Sequence, residues 1–262
     1  MKRLLRVVPC LCFVSWASAQ GQSELEHVPP DPPQTRVHSM PYGEMAEMMG
    51  MDDRKRFGKV MLDELEWEDS DGGSSFEWDV AAWYGGDFNK LRLEAEGRRS
   101  GGETHDSRAE LLWERVISPW WNLRAGLRHD SGIGPARDWA AIGVAGVAPG
   151  PIEIEASVYF GDGGRGAARL TSHYDLLLTQ RLVLQPEAKI DVYTRDDPTR
   201  LVGSGISGLT LGLRLRYELR RELAPYLGVS WTAHFGESAD LRQAAGESAR
   251  EAAWVAGVRA WF

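Results

Sequence analysis

Residues 209–218 read LTLGLRLRYE, and in them Leu209, Leu211, Leu213, Leu215 and Tyr217 alternate with Thr210, Gly212, Arg214, Arg216 and Glu218. A period of two belongs to an extended strand, whose successive side chains point to opposite faces. One face of this segment is apolar and the other polar or small, a division that a helical period of 3.6 does not produce. The pattern recurs in both directions along the chain. Leu91, Leu93 and Ala95 alternate with Lys90, Arg92, Glu94 and Glu96, and Ile152, Ile154, Ala156, Val158 and Phe160 with Glu153, Glu155, Ser157 and Tyr159. Ala188, Ile190 and Val192 oppose Glu187, Lys189, Asp191 and Tyr193. The last segment carries Trp254, Ala256, Val258, Ala260 and Phe262 on one face, and a terminal aromatic closing an alternating strand is typical of outer-membrane barrels.

About twelve strands follow from this periodicity, near 60–67, 76–84, 88–97, 107–116, 121–129, 138–146, 152–160, 166–178, 182–193, 207–218, 224–235 and 251–262. The expected fold is therefore all-β, a transmembrane antiparallel β-barrel preceded by a short disordered or helical periplasmic segment. Mean hydropathy is −0.35, which does not argue against a membrane, because a barrel strand shows only alternate residues to lipid. Tight connections are expected at Gly85-Gly86-Asp87, Ser118-Pro119-Trp120, Ala148-Pro149-Gly150-Pro151, Thr179-Gln180-Arg181 and Glu222-Leu223. Longer ones are expected at Asp69 to Ser75, Arg98 to Asp106, Asp130 to Arg137, Gly161 to Arg165, Arg195 to Gly205 and Gly236 to Arg250. Short periplasmic turns alternating with longer extracellular loops are a barrel property and put both termini in the periplasm. Trp67, Trp83, Tyr84, Trp120, Trp121, Trp139 and Trp231, near segment ends, suit interfacial girdles in contact with outer-membrane lipid.

The first residues form an export signal: Lys2, Arg3 and Arg6, then apolar Val7 to Ala17, then Ala17-Ser18-Ala19 before Gln20. The expected organisation is a signal peptide at 1–19, a Pro-rich linker and Met-rich periplasmic segment at 20–56, and an outer-membrane barrel at 57–262. Cys10 and Cys12 both lie inside the signal, so the mature chain offers no thiolate to a metal. Residues 1–19 carry three positive and no negative side chains, so their removal takes the formal net charge from −8 to −11. Such an acidic chain lacks the basic face that phosphate neutralisation requires, and nucleic acid is not an expected partner. Pro29, Pro30, Pro32 and Pro33, among few apolar residues, mark residues 20 to about 37 as a disordered linker.

Methionine use is the most unusual feature of the mature chain. Apart from Met1, the methionines are Met40, Met45, Met48, Met49, Met51 and Met61, and none follows. Thioethers are soft ligands that select Cu(I), and imidazole suits copper in either oxidation state. Met40, Met45, Met48, Met49 and Met51 with His38 are the candidate copper ligands, beside the carboxylates Glu44, Glu47, Asp52 and Asp53. Met45, Met48 and Met49, at i, i+3 and i+4, share one face of a helix. The same spacing fits a packing helix that uses methionine as an adaptable apolar residue. Plain packing would scatter methionine through the chain, and here it is concentrated.

Several longer segments carry a family resemblance. They are Met51-Asp52-Asp53 leading to Phe57-Gly58-Lys59-Val60, Leu62-Asp63-Glu64-Leu65-Glu66, Trp83-Tyr84-Gly85-Gly86-Asp87-Phe88-Asn89-Lys90 and Thr179-Gln180-Arg181-Leu182-Val183-Leu184-Gln185-Pro186. The stretch from Gly212 through Tyr226 and the final Gly257-Val258-Arg259-Ala260-Trp261-Phe262 belong with them. These resemble the copper resistance protein B family over most of residues 45 to 262. The resemblance implies an outer-membrane protein of copper homeostasis, sequestering or exporting periplasmic copper together with periplasmic copper-resistance proteins. Family members often carry long Met/His-rich repeats in the N-terminal tail. Here only His38 and the Met40 to Met51 cluster stand in their place, which fits one low-capacity site better than bulk storage.

No nucleophile motif, phosphate-binding glycine loop or paired catalytic carboxylate stands out, so no enzymatic activity is expected. Ser172 and His173 are adjacent in a strand and point to opposite faces, which prevents their cooperation. His173 and His234 are expected on the lumen side, beside Asp175 and Thr232. The alternative function is a general small-solute channel with no specific metal role, although a small barrel is often filled by its own side chains.

Overall fold

The computed structural model describes residues 41–49, 55–132 and 134–262. His38, Met40 and Met51 lie outside these residues. The chain divides into two units, residues 1–51 and residues 52–262. In the first, helix α1 covers Tyr42–Met48. The second contains β1 (Phe57–Ser70), β2 (Gly73–Gly85), β3 (Asn89–Ser100), β4 (Glu103–Val116), β5 (Trp121–Gly132) and β6 (Arg137–Ala148). It continues with β7 (Ile152–Gly161), β8 (Arg165–Tyr174), β9 (Leu176–Leu177), β10 (Leu182–Tyr193), β11 (Gly205–Tyr217), β12 (Leu223–His234), helix α2 (Gly236–Ala244) and β13 (Arg250–Trp261).

Every long strand pairs antiparallel with its neighbour in the chain, and β13 returns to β1, with Trp67 opposite Ala256. The two-residue β9 prolongs the line of β8 beyond Asp175 along the same partner, β10. The sheet is thus a closed barrel of twelve staves without an edge, so its long strands find backbone partners on both sides as lipid demands.

The two faces of the wall invert the arrangement of a water-soluble protein. Leu93, Leu111, Leu127, Val158, Leu213 and Leu227 stand exposed on the outside. Glu66, Glu110, Arg124, Arg128 and Arg214 are buried inside. A small apolar cluster of Leu112, Trp139, Ala141, Tyr159 and Ala167 fills part of the lumen, and Tyr193 packs against it. Trp139, expected in a lipid-facing girdle, is therefore buried inside instead, where its indole N–H donates to Asp130 at 2.9 Å. The Arg128 guanidinium lies over the Tyr159 ring at 4.3 Å from its centroid.

Strand β1 departs from strict alternation. Its register against β2 shifts between Leu62 and Glu64, a bulge that inserts one residue into one strand of the pair. Asp63 and Glu64 consequently both line the lumen. Beyond the bulge Glu66 and Glu68 are buried while Trp67 between them is exposed, so four carboxylates of this strand, Asp63, Glu64, Glu66 and Glu68, converge inward.

The connections are less strictly sorted than expected. Longer loops are expected at Asp69 to Ser75 and Arg98 to Asp106, but the strands run on and leave only the turns Asp71-Gly72 and Gly101-Gly102. These polar hairpin ends pair through their backbones, so the apolar alternation by which strands are recognised is missing there. Gly101 and Gly102 adopt φ of 61° and 90°, a two-residue turn geometry open to glycine. Long connections survive at residues 194–204 and 235–249, the second of which contains α2.

Candidate functional site

The thioether segment has the helical form that its spacing predicts. Met45 and Met48 lie in α1, and the Met49 N–H donates to the Met45 carbonyl at 2.9 Å. Their relative exposures are 38% for Met45, 71% for Met48 and 61% for Met49, so none is enclosed by packing. Glu44 beside them is exposed as well. The remaining candidates, His38, Met40 and Met51, fall outside the described residues.

The lumen is the second candidate. It consists of two chambers, one of about 430 Å³ on the side of the short turns and one of about 570 Å³ on the side of the long loops. Side chains from opposite walls meet between them. Arg214 donates from Nε and Nη2 to the two carboxylate oxygens of Glu66 at 3.0 and 2.9 Å, and from Nη1 to Glu187 at 2.6 Å. The same Nη2 lies 3.0 Å from Glu64, and the Tyr226 hydroxyl donates to Glu66 at 2.9 Å. On the other side of the partition Arg169 pairs with Glu96 across the lumen and donates to Asp191 at 2.7 and 3.1 Å. Paired guanidinium forks of this kind fix both partners in orientation.

Glu64, Glu66 and Glu77 bring carboxylate oxygens within 4.8 Å of one another, the one grouping of potential metal ligands among the described residues. Each is already paired: Glu64 and Glu66 with Arg214, and Glu77 with Arg98 at 2.6 Å. Their charge is spent on structural cations, and the carboxylates hold the wall together.

At the loop end, residues 194–204 reach over the mouth toward β5 and β6. Asp197 accepts from Arg137 Nε at 2.9 Å and from the Thr199 hydroxyl at 2.5 Å. Arg200 donates to the Asp106 carboxylate at 3.3 Å and to the Pro135 carbonyl at 3.1 Å. A Cβ on Gly134 would collide with the Thr199 carbonyl, so glycine permits this close approach. Burial pushes the Asp197 carboxyl up, but the bonds from Arg137 and Thr199 and the charges of Arg137 and Arg165 outweigh it and hold its pKa below the ordinary range. Ser204 holds the neighbouring Asp196 low by donating hydrogen bonds to it. Helix α2 packs onto the base of this strap, where the Gly203 N–H donates to the buried Ser238 hydroxyl at 2.7 Å.

The expected lumen histidines are there. His173 faces the turn-side chamber and His234 the loop-side chamber. His173 Nε2 lies 3.1 Å from Glu153, and not from the expected Asp175, which instead accepts from Arg216 at 2.7 Å. Sequence reasoning passed over the arginine–carboxylate partition. A signal for it existed, since inward positions of nearly every strand carry Arg, Lys, Asp or Glu, but no local pattern says which pairs with which.

A family model described as copper resistance protein B precursor matches residues 56–262. Copper resistance protein B of Escherichia coli is 46% identical over 203 residues, which span 78% of this chain and 69% of that protein. A copper resistance protein B homolog of Pseudomonas syringae pv. tomato is 42% identical, over 77% of this chain and 69% of its own length. Among solved structures, the NanC porin superposes with a TM-score of 0.52 at 10% identity, covering 75% of this chain and 98% of the porin. The KdgM porin superposes with a TM-score of 0.50 at 13% identity, covering 78% and 99%. Identity that low speaks to fold alone, and both folds are outer-membrane barrels.

Proposed function

The chain belongs to the copper resistance protein B family, and from that membership we propose that it serves copper resistance as an outer-membrane copper-binding protein that captures Cu(I) through thioethers for sequestration or export. Its relatives support the role in copper resistance. The observation that carries the finer reading is the exposure of Met45, Met48 and Met49 at helical spacing. A packing helix would cover these side chains, whereas a soft-metal site leaves sulfur accessible. His38, Met40 and Met51 complete the proposed ligand set on sequence grounds. The segment is proposed to lie in the periplasm, where periplasmic copper-resistance proteins would exchange copper with it. A general small-solute channel is the less favoured reading, because Lys189 reaches Glu64 across the lumen between its two chambers.

Replacing Met45, Met48 and Met49 with leucine keeps apolar volume and removes sulfur. The triple variant of the full chain should assemble normally while its Cu(I) affinity, read by competition with a chromogenic chelator, falls together with cellular copper tolerance. Unchanged affinity would return the three residues to a packing role.

A further inference from the structure

Of the four cationic side chains that line both chambers, Arg108, Arg169, Arg214 and Lys189, only Lys189 carries an ammonium. Arg169 and Arg214 are each held as a fork, with two nitrogens on one carboxylate and a further carboxylate on a third nitrogen or beside them. Lys189 has no fork. Its Nζ lies 3.0 Å from Glu187 on its own strand and 3.6 Å from Glu64 on β1 across the lumen. Lys189 also lines both chambers, as do Glu64, Glu187 and Asp79, so it stands where the two chambers adjoin. Asp79 stands directly opposite Glu64 in the β1–β2 register. Among the described residues it makes no salt bridge with any cationic side chain.

We propose that Lys189 is the residue that decides cation passage through this barrel: its ammonium occupies the place a small cation would take between Glu64, Glu187 and Asp79, and so acts as a tethered plug. Three features of the site lead there. An ammonium is a compact point charge on a flexible stem, the nearest side-chain equivalent of a bound metal cation. Its partners Glu64 and Glu187 also contact Arg214, so withdrawing the lysine head leaves the wall tied together. Asp79 meanwhile offers a carboxyl group that no guanidinium has claimed. A cation entering from either chamber therefore meets a cage of suitable charge that is already filled, and passes only when the lysine stem swings aside. Removing the ammonium converts the plug into an open cation site at mid-height without touching the arginine forks.

The test uses the full mature chain in planar bilayers with potassium chloride as the probe, so the thioether segment and its copper play no part in the outcome. Wild-type protein should show low conductance. Lys189→Gln and the stem-preserving Lys189→Met, each verified as folded by heat-modifiable gel mobility, should show a several-fold rise in single-channel conductance. Under a salt gradient their reversal potentials should shift toward that of potassium. Variant conductance equal to wild type, or a rise without cation selectivity, would overturn the assignment. A wild-type barrel that already conducts potassium freely would overturn it without any variant.

Discussion

The outer wall and the lumen of this barrel are made by the same strands, yet different forces hold them. On β11, Leu211, Leu213 and Leu215 face outward and need only be apolar, because lipid accepts any such side chain at that position. One residue along from Leu213 the requirement becomes particular: Arg214 must meet Glu64, Glu66 and Glu187, which arrive from β1 and β10. The outer face tolerates substitution within a class, whereas the lumen depends on the identity of each partner. A buried charge stripped of its partner costs far more than an apolar side chain exchanged for another.

The sharpest way to break this contrast is Arg214→Ala. It leaves Glu66, which is fully buried, with only the Tyr226 hydroxyl as donor. Loss of a partner from a buried ion pair costs roughly 3–5 kcal/mol, so the variant should unfold at markedly lower urea concentration in detergent or vesicles. An unfolding midpoint within error of wild type would mean that water in the chambers solvates Glu66 and that the lumen is no more particular than the outer wall.

Leu211→Arg, on the same strand and the opposite face, comes second. An arginine facing lipid near mid-strand should cost about 2–4 kcal/mol, less than the loss of Arg214. The ordering is checked by running both unfolding titrations in one lipid. If Leu211→Arg were harmless, the exposed leucine face would not be the lipid-facing one.

The smallest effect is expected at the outer mouth, where the strap is held by solvent-accessible pairs. Asp197 has its pKa lowered in the folded protein. A carboxylate with a lowered pKa stabilises at any pH above its unfolded value, about 4. That contribution disappears as the pH falls through the folded value. A nitroxide at Leu201 should therefore be immobile at neutral pH and gain mobility only on strong acidification. Asp197→Asn should be partly mobile at every pH, with barrel stability nearly unchanged. Identical spectra for wild type and variant across the titration would detach the strap from this ion pair.

Legibility along the chain follows the same division. Twelve strands and the face of most strand residues were readable because lipid imposes a repeat of two that each strand carries by itself, whereas Trp139, near a strand end, lies in the lumen and not in a girdle. Arg92, Glu94 and Glu96 point inward on β3 as their alternation implies. The bulge at Asp63 and Glu64 was not readable, because one inserted residue in a run of acidic side chains looks like continued alternation. The hairpin ends at Asp71-Gly72 and Gly101-Gly102 were misjudged as loops because outside the membrane nothing enforces the pattern. The helical spacing of Met45, Met48 and Met49 was readable, and their exposure was not, since periodicity places side chains on a face without saying what covers it.

By itself, then, the sequence determined an exported all-β chain, an apolar exterior, a polar interior and an unusual store of thioether sulfur ahead of the barrel. Only the tertiary structure decided which carboxylate answers which cation, and that Lys189 stands where the two chambers of the lumen adjoin. Glu66 and Arg214 are separated by 148 positions in the chain. Their meeting depends on strand register, the bulge in β1 and the closure of β13 onto β1 together. Local periodicity encodes the face on which a charge lies, but its height in the barrel and its partner across the lumen are set only when the whole cylinder closes.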